Sequence, residues 1–239
     1  MTLTVHPVRH TPHADEWVRV VEALGGVVTG RDGDRVDLTL GHGRVAVVRA
    51  SEPGAELGFE APDLLAVTAE CERNGLATVS ADGRLEVTGP DGLRVHVDEH
   101  PPAAPPPGAD PALSTLPLWY SPDVAGAAGV LDRLGLAVRI ASHSGDWVDF
   151  VAPGGGFVAA HAADRPSVQL SFEYDGDVRP LAARLTAHGL AASVVDENYG
   201  LTVRLPDPDG TGNIWVNEVQ TDLHGYRRAD TREGRADRR

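Results

Sequence analysis

The chain has 239 residues, of which 41% are hydrophobic and 23% are charged. This composition excludes a disordered or fibrous protein, and a single cysteine excludes an intramolecular disulfide. The formal net charge of -14 argues against a general nucleic-acid-binding protein or a protein that binds anionic membranes. No segment is long and apolar enough for a signal peptide or a membrane span, so the sequence predicts a cytoplasmic protein.

Four segments carry apolar residues at the spacing of one helix face, and each is followed by a glycine that can end a helix. They cover residues 14–24, 63–74, 123–134 and 177–188. After each glycine comes an apolar stretch, and then further strands separated by turn residues. The sequence therefore predicts a leading strand, a helix and about three strands, four times over. Each such unit is a two-layer α+β module.

The four units fall into two similar halves. Residues 5–12, 33–38, 56–63 and 89–99 align in order with 115–122, 145–150, 169–176 and 207–218. Between the halves lies the segment PPAAPPPGADP, whose prolines exclude a helix or a central strand. The predicted organisation is an N-terminal domain over 1–100, a linker over 101–111, a C-terminal domain over 112–226 and a disordered arginine-rich tail over 227–239.

The βαβββ units, with the segments ELGFEAPD from Glu56, QLSFEYDG from Gln169 and DPDG before NIWVNE, resemble the vicinal oxygen chelate superfamily. This superfamily includes glyoxalases, bleomycin-resistance proteins and extradiol dioxygenases, and the resemblance covers about residues 3–220. It implies two tandem α+β domains in which paired modules curl into half-open cups. It also implies a divalent metal at the bottom of the cup in the enzymes, and simple small-molecule binding in the many members that have lost the metal.

In the N-terminal cup, the resemblance implies metal ligands at His6, Glu56 and His96. Two histidines and one carboxylate form a facial triad that suits Fe(II) or a similar ion. The order of residue types differs from that of the family, which has histidine where Glu56 stands and glutamate where His96 stands. The predicted cofactor is therefore either none or one divalent ion, Fe, Zn, Mn or Ni. The alternative is that both histidines are partly exposed residues of edge strands.

In the C-terminal cup, the same three places hold Leu116, Gln169 and Trp215, and neither leucine nor tryptophan can ligate a metal. Strand alternation instead predicts a pocket with apolar walls and a few polar anchors. The alternative is that the aromatic side chains simply fill a closed cup. The predicted ligand-binding residues are Leu116, Leu118, Tyr120, Gln169, Ser171, Trp215 and Asn217.

Three functions remain open at this point. The first, which the sequence favours because neither half reproduces the metal ligands of the family, is a binding protein of the bleomycin-resistance type that sequesters a small aromatic or cationic molecule. The second is a metal-dependent enzyme similar to a glyoxalase or dioxygenase, with His10 as the nearest group for proton transfer. The third is metal-free catalysis with Glu173 as base. In each case the predicted partner is a small molecule, and the chain is a monomer with pseudo-dimeric halves or a homodimer.

Overall fold

The computed structural model describes residues 2–81, 83–210 and 212–229 of the chain. The N-terminal half contains two modules. The first comprises β1 (Thr4–Val5), β2 (Val8–Thr11), α1 (Ala14–Leu24), β3 (Val27–Asp32), β4 (Arg35–Thr39) and β5 (Arg44–Arg49). The second comprises β6 (Gly54–Ala61), α2 (Leu64–Arg73), β7 (Thr78–Ala81), β8 (Arg84–Thr88) and β9 (Arg94–Glu99).

The C-terminal half repeats this order, with the leading strand of each module divided in two. Its first module comprises β10 (Leu113–Thr115), β11 (Leu118–Ser121), α3 (Val124–Arg133), β12 (Ala137–Ser142), β13 (Trp147–Val151) and β14 (Phe157–Ala162). Its second comprises β15 (Ser167–Gln169), β16 (Phe172–Tyr174), α4 (Val178–Ala187), β17 (Ser193–Glu197), β18 (Gly200–Pro206) and β19 (Asn213–Glu218), and β20 (Tyr226–Arg228) follows it. The predicted α+β fold of four modules paired in tandem is confirmed.

The helices begin and end for local reasons. The carboxylates of Asp63, Asp123 and Asp177 accept hydrogen bonds from backbone N–H groups in the first turns of α2, α3 and α4, which satisfies donors that a helix leaves unpaired. At the other end, the glycine predicted to terminate each helix has a positive φ, for example 111° at Gly25 and 85° at Gly135. Glycine adopts this conformation without a steric penalty.

Each half builds one cup. In the N-terminal half, β2 and β6 pair antiparallel at the centre and join the two modules in the order β3-β4-β5-β2-β6-β9-β8-β7. In the C-terminal half, the two parts of each divided leading strand lie in different sheets: β10 pairs with β16, and β11 pairs with β15. The result is two sheets, β15-β11-β14-β13-β12-β20 and β10-β16-β19-β18-β17.

The two halves share their hydrophobic cores. One core joins Val67 and Cys71 of α2 to Ala127 and Leu131 of α3. The other joins α1 to α4, with Trp17 among its fully buried residues. Because the helix-bearing face of each half is buried against the other half, the opposite faces of the sheets are left to form the cups.

The segments outside the modules are also held in place. Residues 101–111 contain no helix or strand, and Asp110 within them accepts hydrogen bonds of 3.0 Å from the guanidinium of Arg184. The prediction of disorder from residue 227 is wrong for Arg227 and Arg228, because both lie in β20 and pair with β12. The rest of the predicted tail, from residue 230, lies outside the described residues. Within the described part of the chain, no helix is long and apolar enough to cross a bilayer.

Candidate functional site

The C-terminal cup encloses a cavity of about 450 Å³. Most of the residues predicted to face this cup do line it: Leu116, Leu118 and Tyr120 from the β10–β11 side, and Trp215 and Asn217 from β19. Strand alternation places these side chains on the concave face. The full lining is Leu116, Leu118, Tyr120, Ser142, Ser144, Asp146, Trp147, Asp149, His161, Glu173, Glu197, Tyr199, Trp215, Asn217, Glu218, Gln220 and Tyr226.

Two predicted residues lie behind the lining instead. Gln169 accepts a hydrogen bond of 2.9 Å from the Tyr120 hydroxyl and donates one of 2.9 Å to the Asn213 carbonyl, so it orients the wall. Ser171 is fully buried, and its hydroxyl has no hydrogen-bond partner among the described residues. The reason is the break between β15 and β16, which interrupts the alternation on which the prediction for Ser171 rested.

An aromatic group that the sequence analysis did not assign forms part of the cavity wall. The ring of His161 lies 5.2 Å from that of Tyr120 and 5.4 Å from that of Trp147, the second pair being edge-to-face. Its Nδ1 lies 2.8 Å from the Ala162 carbonyl. Since a carbonyl only accepts, Nδ1 carries the proton, and Nε2 is the acceptor in the neutral ring.

The remaining unassigned residues come from turns and from the chain terminus. Glu197 and Tyr199 lie at the turn between β17 and β18. Gln220 and Tyr226 belong to residues 219–229, which we call the C-terminal strap. The strap crosses the cup and adds β20 to the sheet, where Tyr226 pairs with Ser142.

An arginine between two carboxylates lies beside the cavity. Arg139 donates to both oxygens of Glu173 at 2.6 Å and to Asp149 at 2.7 Å, and its guanidinium lies 3.8 Å from the ring centroid of Phe157. The register of β12 shifts between Val138 and Ile140, at the position of Arg139. Burial raises the pKa of Glu173, and the hydrogen bonds and charge of Arg139 offset only part of this effect. Both oxygens of Glu173, the predicted base, are therefore engaged in an ion pair.

The N-terminal cup has the same pair of carboxylates, with a histidine between them instead of an arginine. By the sequence repeat, Asp37 and Glu60 correspond to Asp149 and Glu173. His6 lies between them, with Nε2 3.2 Å from Asp37 and Nδ1 2.8 Å from Glu60, and it is only 1% exposed. Burial raises the pKa values of both carboxyls, but the contacts with His6 and neighbouring arginines outweigh it and lower both values.

The other predicted residues of this cup form a second charged network. His10 Nε2 lies 2.9 Å from one oxygen of Glu56, and His96 Nδ1 lies 3.4 Å from the other. Arg84 also contacts Glu56 at 3.2 Å. Burial, followed by the positive charge of Arg84, lowers the pKa of His96 to about 4. His96 is therefore a neutral imidazole at neutral pH.

The predicted metal positions converge only in part. A Cβ at Gly58 would overlap His96 and would lie 2.5 Å from the His6 carbonyl oxygen, so the approach of these strands requires glycine there. However, His6 faces Asp37 and Glu60, whereas His96 faces Glu56. In the described ranges, no group of three or more His, Cys, Asp or Glu side chains is arranged to hold a metal ion.

Arginine side chains near these carboxylates also disfavour a metal ion in the N-terminal cup. Arg35 contacts Asp37 at 3.0 Å, Arg44 contacts Glu60 at 2.7 Å, and Arg84 contacts Glu56. Guanidinium groups thus occupy the carboxylate oxygens that a divalent cation would need. In the C-terminal cup, Leu116 and Trp215 offer no ligand atom. As arranged, neither cup fits the metal that the fold family implies.

No protein-family model matches the sequence, and no curated protein sequence is significantly similar to it. Solved structures do match over almost the whole chain. A catechol 2,3-dioxygenase has 14% identity and a TM-score of 0.65, with 95% of this chain and 88% of that chain covered. A 2,3-dioxygenase from a Pseudomonas species has 18% identity and a TM-score of 0.66, with 91% and 92% covered.

A glyoxalase from Novosphingobium aromaticivorans, described as Mn(II)-bound, has 17% identity and a TM-score of 0.60, with 91% of this chain and 81% of that chain covered. At such identities the likeness establishes the fold. These neighbours are members of the vicinal oxygen chelate superfamily, so the chain has the fold of that superfamily. The resemblance stated from the sequence is confirmed at this level.

Proposed function

We propose that this chain is a small-molecule-binding protein of the bleomycin-resistance type, whose C-terminal cup holds an aromatic or cationic ligand without a metal. The observation that carries the proposal is the cavity of about 450 Å³ with six ring-bearing side chains in its lining. Such a volume suits a small organic molecule, and aromatic walls provide large contact areas with preferred stacking geometries. The rings are those of Tyr120, Trp147, His161, Tyr199, Trp215 and Tyr226.

The residues at the family's metal positions support binding over metal chemistry in this cup. Leu116 and Trp215 both line the cavity. They add apolar surface at positions where a metal-binding member of the family would have a metal-coordinating side chain. Gln169 is engaged with Tyr120 and Asn213. A ligand would therefore contact a ready-formed apolar surface at the bottom of the cup.

A metal-dependent enzyme similar to a glyoxalase or dioxygenase is the second candidate, and the comparisons favour it. The reported neighbours are enzymes, and one is described as Mn(II)-bound. They therefore support an enzyme better than a sequestering protein. In this chain the metal would have to be held by His6, Glu56 and His96. The contacts of His6 with Asp37 and Glu60 and the ion pair of Glu56 with Arg84 oppose this.

Ligand binding is tested through the tryptophans. Trp147 and Trp215 line the cavity, whereas Trp17 and Trp119 are buried in the cores, so quenching of intrinsic fluorescence reports on the cup. For a compound found by thermal-shift screening, Trp215→Ala should reduce affinity by about 1–3 kcal/mol from lost aromatic burial. Exposed Val194→Ala, on β17, is the matched control. Unchanged affinity in the Trp215 variant would place the ligand outside this cup.

Metal content separates the two candidates. Untagged protein is analysed by elemental mass spectrometry before and after incubation with Fe(II), Zn, Mn or Ni. The binding proposal predicts well below one equivalent under every condition. About one equivalent, retained after dialysis and lost in His96→Ala but not in Asp132→Asn, would instead establish the N-terminal cup as a metal site and favour the enzyme.

A further inference from the structure

We infer that the C-terminal cavity selects an organic cation, an ammonium or guanidinium group carried on an apolar or aromatic body, and rejects anions. The inference rests on the proposed function, because it names the ligand class of the same cavity. Aromatic faces and unpaired carboxylates lie together around one cavity, and its described lining contains no arginine or lysine, the imidazole of His161 being its one basic group.

The first support is the balance of charge in the lining. Five carboxylates face the cavity: Asp146, Asp149, Glu173, Glu197 and Glu218. Arg139 pairs with Asp149 and Glu173, and one guanidinium neutralises at most one of these two. Asp146, Glu197 and Glu218 make no ion pair with an arginine or histidine of the described residues. The cavity therefore retains a negative field, which the partial burial of Glu197 and Glu218 strengthens, whereas Asp146 is exposed to solvent.

The position of these carboxylates matters as much as their number. One oxygen of Glu218 accepts a hydrogen bond of 3.0 Å from the backbone N–H of Val178 at the start of α4, so its charge is held in place. Glu197 ends β17, two residues before Tyr199 on the same turn. The carboxylates thus come from separate elements and face one space, as a ring of acceptors around a single cation would require.

The second support is the chemistry of the rings. Burial raises the pKa values of Tyr120 and Tyr199, so both phenols are neutral at physiological pH. Neutral tyrosine and tryptophan faces attract an ammonium or guanidinium group through the ring quadrupole. Trp215 stands where enzymes with this fold are expected to place a glutamate. At this point in the cup, a ring face replaces the carboxylate as the group that attracts positive charge.

The same arrangement disfavours anions. A ligand carboxylate or phosphate would meet Asp146, Glu197 and Glu218 without a compensating cation. Arg139 is the nearest candidate, but its Nη1, Nη2 and Nε atoms are already directed at Glu173 and Asp149. An anion would have to break this buried cluster in order to bind.

Three matched probes test the inference on the full chain. Phenyltrimethylammonium, tert-butylbenzene and benzenesulfonate have similar sizes and carry positive, zero and negative charge. Affinity is measured by quenching of Trp147 and Trp215 fluorescence and by calorimetry. We expect phenyltrimethylammonium to bind about 10-fold or more tightly than tert-butylbenzene, since cation–π and carboxylate attraction add to the shared apolar contact. Benzenesulfonate should not bind measurably.

Charge-removing variants locate the effect. Glu197→Gln and Asp146→Asn should each weaken binding of the cation several-fold and leave binding of tert-butylbenzene unchanged. Asp132→Asn removes an exposed charge from α3, away from the cavity, and should change neither. Added salt should reduce the affinity for phenyltrimethylammonium more in the wild type than in the Glu197→Gln variant.

Two outcomes would overturn the inference. If the cation and the neutral isostere bind equally, or the anion binds best, charge does not select the ligand, although binding in the cup would still stand. If none of the three probes binds, the inference is wrong. The proposed function would also fall if no compound in the thermal-shift screen then depended on Trp215.

Discussion

The indole Nε1 of Trp17 donates a hydrogen bond of 2.8 Å to Oδ2 of Asp209, joining the first helix to a turn 192 residues further along the chain. Asp209 belongs to the Pro-Asp-Gly turn before β19. The reciprocal contact also exists. Nε1 of Trp119, in the C-terminal half, donates a hydrogen bond of 2.8 Å to Asp91 in the Pro-Asp-Gly turn of the N-terminal half. In each half this turn is held by a tryptophan of the other half, so the two cups are locked together at equivalent points.

We expect Asp209→Asn to lower the free energy of unfolding by about 2–3 kcal/mol, because it removes one of the two carboxylates that pair with buried Arg9, the other being Asp207. The Asp209 side chain is 1% exposed and also accepts from Thr11. Urea unfolding measures the loss. Asp91→Asn is the matched control, and it should cost only about 1 kcal/mol because no arginine among the described residues contacts that carboxylate. Equal losses in the two variants would show that the ion pair with Arg9 is not the source.

Arg139→Gln should destabilise the protein by about 3–5 kcal/mol, since Asp149 and Glu173 would be left as unpaired, mostly buried carboxylates. Adding Glu173→Gln in the same chain restores the original net charge of this cluster and should recover part of the loss. Arg94→Gln, which removes an exposed arginine from β9, is the control and should cost less than about 1 kcal/mol. If the double variant were less stable than Arg139→Gln alone, the carboxylate charge would not be the cause.

Stability should fall as the pH falls from 6.5 towards 4.5, in part because of His96. Its pKa is about 4 in the folded protein, against an ordinary value near 6.5 when unfolded. Between these values the unfolded chain binds the additional proton, so acidification favours unfolding, by on the order of 3 kcal/mol over the full interval. The carboxyls of Asp37 and Glu60, whose pKa values are lowered, contribute in the same direction only below this window.

Urea unfolding at several pH values checks this prediction. His96→Gln should reduce the dependence of stability on pH between 6.5 and 4.5 by close to one proton. The comparison with His188→Gln, at the end of α4, controls for removal of a histidine away from the cup. A slope that is unchanged by His96→Gln would mean that other groups take up the proton.

Removing the C-terminal strap should open the cavity. Gln220 and Tyr226 line the cup, and the strap is closed on itself by a hydrogen bond of 2.8 Å from Arg228 to the Gln220 carbonyl. A chain ending at Glu218 should show stronger acrylamide quenching of Trp147 and Trp215 than the full chain. It should also lose on the order of 1–2 kcal/mol of stability with the β20 hydrogen bonds. A chain ending at Ala229 is the control and should behave as the full chain; equal quenching in all three would show that the strap does not cover the cavity.

Local features made the modules predictable. The helix predicted over 14–24 has the bounds Ala14–Leu24, and the other three end within two residues of the predicted positions. Apolar spacing, an aspartate cap and a terminal glycine all act within a few residues of one another, so they can be recognised without knowledge of the fold. The same holds for Leu116, Leu118 and Tyr120, which face the cavity because alternate residues of a strand share a face.

The sequence alone therefore determined the four modules, their pairing in tandem and most of one wall of the C-terminal cavity, where Leu116 and Trp215 stand at positions that the family resemblance implies for metal ligands. Only the tertiary structure decided that the two halves share cores, that His6 lies between two carboxylates instead of facing His96, and that Arg139 pairs with Glu173. It also brought Glu197 and Tyr226 to the cup. These contacts join segments far apart in the chain. They depend on strand breaks, bulges and packing, which cannot be read from the periodicity of a short stretch of sequence.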